Sequence, residues 1–157
     1  MRWLPVSLLI LSVAVLCVLI IMRMPGPEYF NATCRAYMDY RGVTQGDGFD
    51  FKGDVSFFFN DDKTGRYYIS GSMDDNEGNY SISRLVSFTY QHNGKDAYTF
   101  TPVNVEKSVH DNISDKIQGR LQRMLPLTQK ISVNIGVNEN YILFSNAVSP
   151  LFLCVRL

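Results

Sequence analysis

An uncharged apolar run at residues Leu4–Met22 restricts the possible folds of this chain more than any other feature. A helix needs about 20 apolar residues to cross the hydrocarbon core of a bilayer. Arg2 precedes the run and Arg23 follows it, a weak charge bias that favours a cytoplasmic amino terminus. We therefore predict three segments: a cytoplasmic tip and transmembrane anchor at 1–24, a spacer at 25–28, and a periplasmic β domain at 29–157.

A cleaved signal peptide is the alternative interpretation of the same run. Such a peptide has a shorter apolar region that is followed by small residues at the cleavage site. Here the run ends in Ile20, Ile21 and Met22, and the segment Pro25–Pro27 follows. This is a poor cleavage site, so the sequence favours an uncleaved membrane anchor.

The charge of the chain argues against nucleic acid as a direct partner. Lys plus Arg and Asp plus Glu are balanced at 15 each. A protein that binds nucleic acid directly generally carries an excess of basic residues on one face.

Two of the three cysteines lie outside the anchor, Cys34 near the start of the predicted domain and Cys154 near its end. Thiols that face an oxidising compartment are expected to pair. A bridge between them would tie the last strand to the first. Two free thiols in a cytosolic domain are the alternative, which requires the opposite membrane orientation.

Alternating apolar residues predict strands along most of the domain, as in Phe49–Asn60 and Tyr80–Tyr90. Gly53 interrupts the first of these alternations, and we expect a β-bulge there. Between Asp111 and Leu125 the apolar period changes to that of a helix, with Asp111 or Ser114 as its cap. The fold class is therefore mainly β: a transmembrane helix, then an antiparallel lipocalin-like barrel, or a strongly curved sheet, with one α-helix.

Two acidic segments, Asp61–Ser70 and Asp74–Ser83, repeat one pattern of a turn followed by a strand. Asp and Asn tolerate turn conformations, so both segments are typical of hairpin connections. A calcium loop is the alternative, but the spacing of the carboxylates differs from that of the known twelve-residue loop.

One face of the predicted strands is expected to line the barrel interior or contact a ligand. Arg84 is the exception within this apolar row, because a buried charge requires a partner or a polar cavity. The candidate interior residues are Phe57, Phe59, Tyr80, Arg84, Val86 and Phe88.

The sequence contains no recognisable catalytic or metal-binding motif, and we expect neither an enzyme nor a cofactor. The two histidines, His92 and His110, occupy a predicted turn and the segment before the predicted helix. Both are expected at the surface. The functional alternative is pH sensing, because an unperturbed histidine titrates near pH 6.5.

The chain resembles the FidL-like small bitopic inner-membrane proteins of enterobacteria, of the MyfF and PsaF type. The resemblance rests on the anchor, on Cys34 in the first strand, and on three strand segments. These segments are 65–71, 82–88 and 141–154.

This resemblance implies an accessory protein without catalytic residues, similar in role to ToxS. Its partner would be a bitopic winged-helix transcription activator of fimbrial or virulence genes, which it would stabilise or activate through the activator's periplasmic domain. The alternative is a periplasmic module that binds a small apolar ligand, such as a fatty or bile acid, inside the barrel.

The predicted topology can be tested with reporters fused after Leu157. A reporter that works only outside the cytoplasm should be active, because one membrane crossing places the carboxyl terminus in the periplasm. Activity of a reporter that works only in the cytoplasm would contradict both the topology and the argument for a disulfide.

Overall fold

The computed structural model describes residues 13, 31–42, 48–125 and 127–157. The predicted anchor and spacer lie outside the described residues, apart from residue 13 within the anchor. Among the residues that are described, no helix is both long enough and apolar enough to span a bilayer.

Eight strands and one helix make up the described domain. In chain order they are β1 Ala32–Gly42, β2 Phe49–Phe59, β3 Thr64–Asp75, β4 Gly78–His92, β5 Ala97–Lys107, α1 Asp115–Met124, β6 Ile131–Val137, β7 Tyr141–Ser145 and β8 Pro150–Arg156. Each strand pairs antiparallel with the next, and β8 pairs with β1 to close a barrel. The prediction of a mainly β, antiparallel barrel with one helix is confirmed.

Alternation of apolar and polar residues explains why these segments are strands with one buried face. In β2, Phe49, Phe51, Val55, Phe57 and Phe59 are all buried inside the barrel. They belong to a single core cluster, which also includes Ile117 and Leu121 of α1. The barrel and its helix therefore share one hydrophobic core.

The acidic repeat forms two hairpin turns, as predicted. Asp62 accepts a hydrogen bond from the backbone N–H of Thr64 at 3.0 Å, and Lys63 has a positive φ of 69°. Asp75 accepts one from the backbone N–H of Gly78, also at 3.0 Å. These local hydrogen bonds from the backbone to side chains stabilise the turns between β2 and β3 and between β3 and β4.

The predicted bulge at Gly53 is wrong. Gly53 lies opposite Gly71, and the register between β2 and β3 continues through this pair without a shift. A Cβ atom on Gly53 would lie 2.2 Å from the carbonyl oxygen of Ser70. The two glycines therefore permit a close approach of neighbouring strands rather than an extra residue. The register shifts elsewhere, between Ser87 and Phe88 on β4.

The barrel is uneven, because β6 pairs only with Ala97–Phe100 of β5. The rest of β5 continues alongside β4 as far as Lys107. We call the end of the barrel where β5 extends beyond β6 the wide end. Helix α1 follows β5 in the chain and lies at this end, together with the β3–β4 turn. It begins at Asp115 with Ser114 at the N-cap position, one of the two caps that the sequence predicts.

The seam between β1 and β8 is the shortest pairing of the barrel, with two residue pairs, Cys34 with Arg156 and Arg35 with Val155. The backbone N–H of Leu157 adds a bond to the carbonyl of Thr33 at 3.0 Å. The predicted disulfide is present at this seam: Cys34 and Cys154 are bonded and fully buried. It therefore closes the barrel covalently where backbone pairing is sparse.

We expect replacement of both bridge cysteines, Cys34→Ala with Cys154→Ala, to lower the free energy of unfolding by about 2–5 kcal/mol. The bond joins residues that are 120 positions apart in the sequence. It therefore lowers the conformational entropy of the unfolded chain by closing a long loop. Urea unfolding with and without a reductant measures this effect. The reductant should destabilise the parent protein and leave the double variant unchanged; equal stability of the two proteins would contradict the prediction.

Candidate functional site

Aromatic rings fill most of the barrel interior. Phe144 contacts Phe57 and Phe152, with ring centroids 4.9 and 4.6 Å apart, and Phe88 contacts Phe100 at 4.9 Å. Such pairs add to the stabilisation from apolar burial alone. The interior is therefore a packed core with limited free space.

A small apolar pocket remains between the rings and the carboxyl-terminal part of α1. It encloses about 60 Å³. Its lining comes from the barrel wall, from the end of the helix and from the start of β8: Phe57, Tyr67, Phe88, Phe100, Pro102, Met124, Leu125, Ile131, Val133, Phe144, Leu151 and Phe152. Drug-sized ligands occupy sites of roughly 300–1,000 Å³, so the pocket in this state suits only a much smaller apolar group.

Tyr67 places a phenol in the wall of this pocket. Burial raises the pKa of the Tyr67 hydroxyl above its ordinary value. The side chain is therefore neutral throughout the physiological range, which preserves the apolar character of the pocket.

Arg84 lies on the inward face of β4 and has a relative exposure of only 2%. Its Nε donates to Asp111 at 2.6 Å, and a second nitrogen donates to the other carboxylate oxygen at 3.1 Å. The third nitrogen donates to the Gln118 side chain of α1 at 3.2 Å. Each of the three guanidinium nitrogens thus has a partner, which compensates for much of the cost of burying this charge.

Asp111 is the acidic partner in this network, and several groups hold it ionised. Burial alone raises the pKa of its carboxyl group, but hydrogen bonds from Arg84 and from the backbone N–H of Ser83, with the charge of Arg84, outweigh burial. The pKa therefore lies below its ordinary value. Lys107 adds a second cation 3.5 Å from the carboxylate.

The outer face at the seam is apolar. We use the term seam face for Leu151, Leu153 and Val155 of β8 together with Tyr37 of β1 and Tyr141 of β7. The three β8 side chains are 48%, 48% and 53% exposed, and Tyr37 is 66% exposed. Val155 lies opposite Tyr141 on β7 and opposite Arg35 on β1, which is ion-paired with Asp54, so the apolar row of β8 has an aromatic neighbour on one side and a charged pair on the other. Exposed apolar side chains grouped in this way often mark a site of protein interaction.

The predicted interior residues Phe57, Phe59, Arg84, Val86 and Phe88 are all buried in the barrel, and Tyr80 is partly buried against the core. Only Phe57 and Phe88 among them line the pocket. Their role in binding stays a prediction.

The two histidines are not brought together. His92, at the end of β4, hydrogen-bonds the carbonyl of Lys95 at 2.7 Å and packs against Tyr98. His110 is exposed after β5. His92 pairs with Tyr98 at one end of the β4–β5 ladder. His110 follows Lys107, which pairs with Arg84 at the other end, so the two histidines lie at opposite ends. Their pH sensing stays a prediction.

Two features of the site were not predicted from the sequence. Asp111 was considered only as a helix cap, although the predicted inward Arg84 required an acidic partner. The seam face has a visible signal, because β8 carries apolar residues on both faces. In the part of the chain that the structure describes, no group of three or more His, Cys, Asp or Glu side chains could hold a metal ion.

Comparison with known proteins gives one family. The model of the family described as "FidL-like putative membrane protein" matches residues 71–154. This match covers more than half of the chain, from the end of β3 to the bridge cysteine of β8. No curated protein matches the sequence.

We expect Asp111→Ala to lower the free energy of unfolding by about 3–5 kcal/mol, because it leaves Arg84 charged and buried without its main partner. The matched control is the pair Arg84→Met with Asp111→Leu, which removes both charges and should cost much less. Urea unfolding of the three proteins measures both effects. An equal loss in the single and double variants would show that the ion pair itself is not the cause.

The same pair predicts a pH dependence. Because the pKa of Asp111 is lower in the folded state than in the unfolded chain, its contribution to stability is complete above about pH 5 and declines as the pH falls through about 4. The difference in unfolding free energy between the parent protein and Asp111→Asn should therefore be constant near neutrality and shrink in acid. A difference that grows in acid would contradict this sign.

Proposed function

Because the chain belongs to the FidL-like family of membrane proteins, we propose that it is a membrane-anchored periplasmic accessory protein. In this proposal it binds the periplasmic domain of a bitopic, winged-helix transcription regulator and stabilises or activates that regulator, in fimbrial or virulence gene control. The Leu4–Met22 segment holds it in the inner membrane as a single-pass protein. The proposal assigns no catalytic role and no direct contact with nucleic acid.

The seam face is the observation that carries this proposal. It exposes Leu151, Leu153 and Val155 in a row on one strand, with aromatic residues on both neighbouring strands. Interfaces are typically built from such apolar and aromatic centres with a polar rim.

The seam also offers backbone groups to a partner. Beyond Arg35, the described part of β1 has no further pairing with β8, although β1 continues to Gly42. An edge of this kind can accept an added strand through backbone hydrogen bonds, while side-chain contacts provide specificity. A regulator domain that docks across the seam would cover both the edge and the apolar row.

A second candidate function is the binding of a small apolar ligand of the fatty or bile acid type. The pocket favours this candidate because aromatic and aliphatic side chains line it and Tyr67 is neutral. Its volume of about 60 Å³ argues against a large ligand unless part of the wall moves. We therefore place partner binding first.

The proposal predicts that Val155→Asp and Leu153→Asp weaken partner binding without unfolding the barrel. A charge at the centre of an apolar interface should reduce affinity at least about tenfold, which corresponds to roughly 1.4 kcal/mol. The matched control is Val103→Asp, because Val103 is also an exposed aliphatic side chain on a strand, β5, away from the seam. Native membranes that contain the full chain provide the material for co-purification.

Site-specific photo-crosslinking identifies the partner directly. A photoreactive residue at 153 should capture a protein with one membrane span and a cytoplasmic DNA-binding domain, whereas the same residue at 103 should not. Identical products from both positions, or a partner of another class at 153, would reject the proposed function.

A further inference from the structure

Helix α1 covers the wide end of the barrel. Within the described residues, the second half of β5 pairs there with β4 on one side and has no pairing with β6 on the other. Its buried side chains, Ile117 and Leu121, belong to the barrel core. Met124 and Leu125, at its carboxyl-terminal end, form part of the pocket wall. Movement of this end away from the barrel would therefore open the pocket.

The amino-terminal side of the helix is held firmly to β4. The backbone N–H groups of Ser108 and Asn112 donate to the carbonyls of Ser83 and Ser81 at 2.9 and 3.2 Å. Asp111 adds its buried bonds to Arg84, which has 2% side-chain exposure. Removal of one partner from such a buried pair is strongly destabilising, so this side is the fixed point of the helix.

The other side is held by ion pairs at the rim. Arg120 pairs with Asp75, the last residue of β3, and with Glu77 in the following turn at 3.3 Å. The side chain of Arg120 is 15% exposed and that of Glu77 is 41% exposed, whereas that of Asp75 is buried. Water and salt therefore reach this contact from the Glu77 side, whereas the Arg84–Asp111 pair has no exposed partner.

We propose that α1 is a hinged lid over the apolar pocket, with its hinge at Asp111–Arg84 and its latch at Arg120–Asp75–Glu77. When the latch opens, the carboxyl-terminal half of the helix turns about the hinge and exposes the pocket between Met124, Leu125 and the barrel wall. Opening also exposes Leu121 and Leu125, which are buried in the closed state, and exposure of apolar side chains to water is unfavourable. The closed state therefore predominates, and the latch determines how rarely the lid opens.

This inference goes beyond the proposed function and depends on neither the partner nor the seam face. It gives the pocket a way to widen at the end that α1 covers. It also explains how a cavity of about 60 Å³ can enlarge without any change in the β1–β8 seam.

The test compares amide hydrogen exchange of the full chain in lipid nanodiscs with that of Arg120→Gln. Loss of the latch should accelerate exchange at residues 117–125 about tenfold, which corresponds to roughly 1.4 kcal/mol of local stability, with little change in the strands. Oxidation of Met124 by dilute peroxide, followed by peptide mass spectrometry, should accelerate in parallel because its thioether leaves the pocket. About 1 M salt, which shortens the Debye length to about 3 Å, should act on the parent protein in the same direction.

The matched control is Arg35→Gln, which removes an exposed ion pair with Asp54 on the barrel wall and should leave residues 117–125 unchanged. If Arg120→Gln does not fold, Asp75→Asn removes the same attraction from the other side. Unchanged exchange at residues 117–125 would overturn the proposal. An equal acceleration in all strands would overturn it too, because the ion pair would then stabilise the barrel as a whole.

Discussion

Closure of the barrel at the β1–β8 seam is the constraint on which the rest of this structure depends. A closed barrel removes the unpaired edges that an open sheet exposes. Here two residue pairs close it, and the Cys34–Cys154 bond links the first strand to the last within the core. Because the other strands follow one another in chain order, this single contact between distant parts of the sequence completes the ring.

The unequal strand lengths have a second consequence. β4 has 15 residues, whereas β7 has only 5, so the barrel wall is tall on one side and short on the other. Apolar residues on the tall side need cover that the short side does not provide, and α1 supplies it. The residues just before this helix bring a carboxylate, that of Asp111, to Arg84, which could not remain charged inside an apolar wall without a partner. The polar and apolar requirements of the wide end are thus met by one segment.

Much of this architecture could be predicted from the sequence, because apolar alternation is strong wherever one strand face is buried. The strands, the two acidic turns, the helix and the disulfide follow from local patterns and from the count of thiols outside the anchor. Gly53 shows the limit of such reasoning, because the role of this glycine depends on Gly71, which lies opposite it on the neighbouring strand. A pattern within one strand cannot show which residue the neighbouring strand presents.

The candidate site was less predictable for the same reason. Arg84 was expected to point inward, yet its partner lies 27 residues away, in the segment before a helix whose position depends on the short β6. The pocket likewise combines side chains from β2, β4, α1 and β8, which no local pattern relates. In contrast, the outer row of β8 is visible in the sequence as a strand that is apolar on both faces.

The seam face and the lid lie on different parts of the barrel, but Leu151 connects them. This residue belongs to the exposed row of β8 and also lines the pocket beneath α1. A protein that packs against the row would therefore contact one wall of the pocket from outside. Any molecule in the pocket would contact the same side chain from inside. Two ligands that share a side chain can alter each other's affinity only if one of them changes its position or freedom, and the effect is then reciprocal. Leu151 is thus the residue through which a ligand in the interior could affect binding at the outer surface.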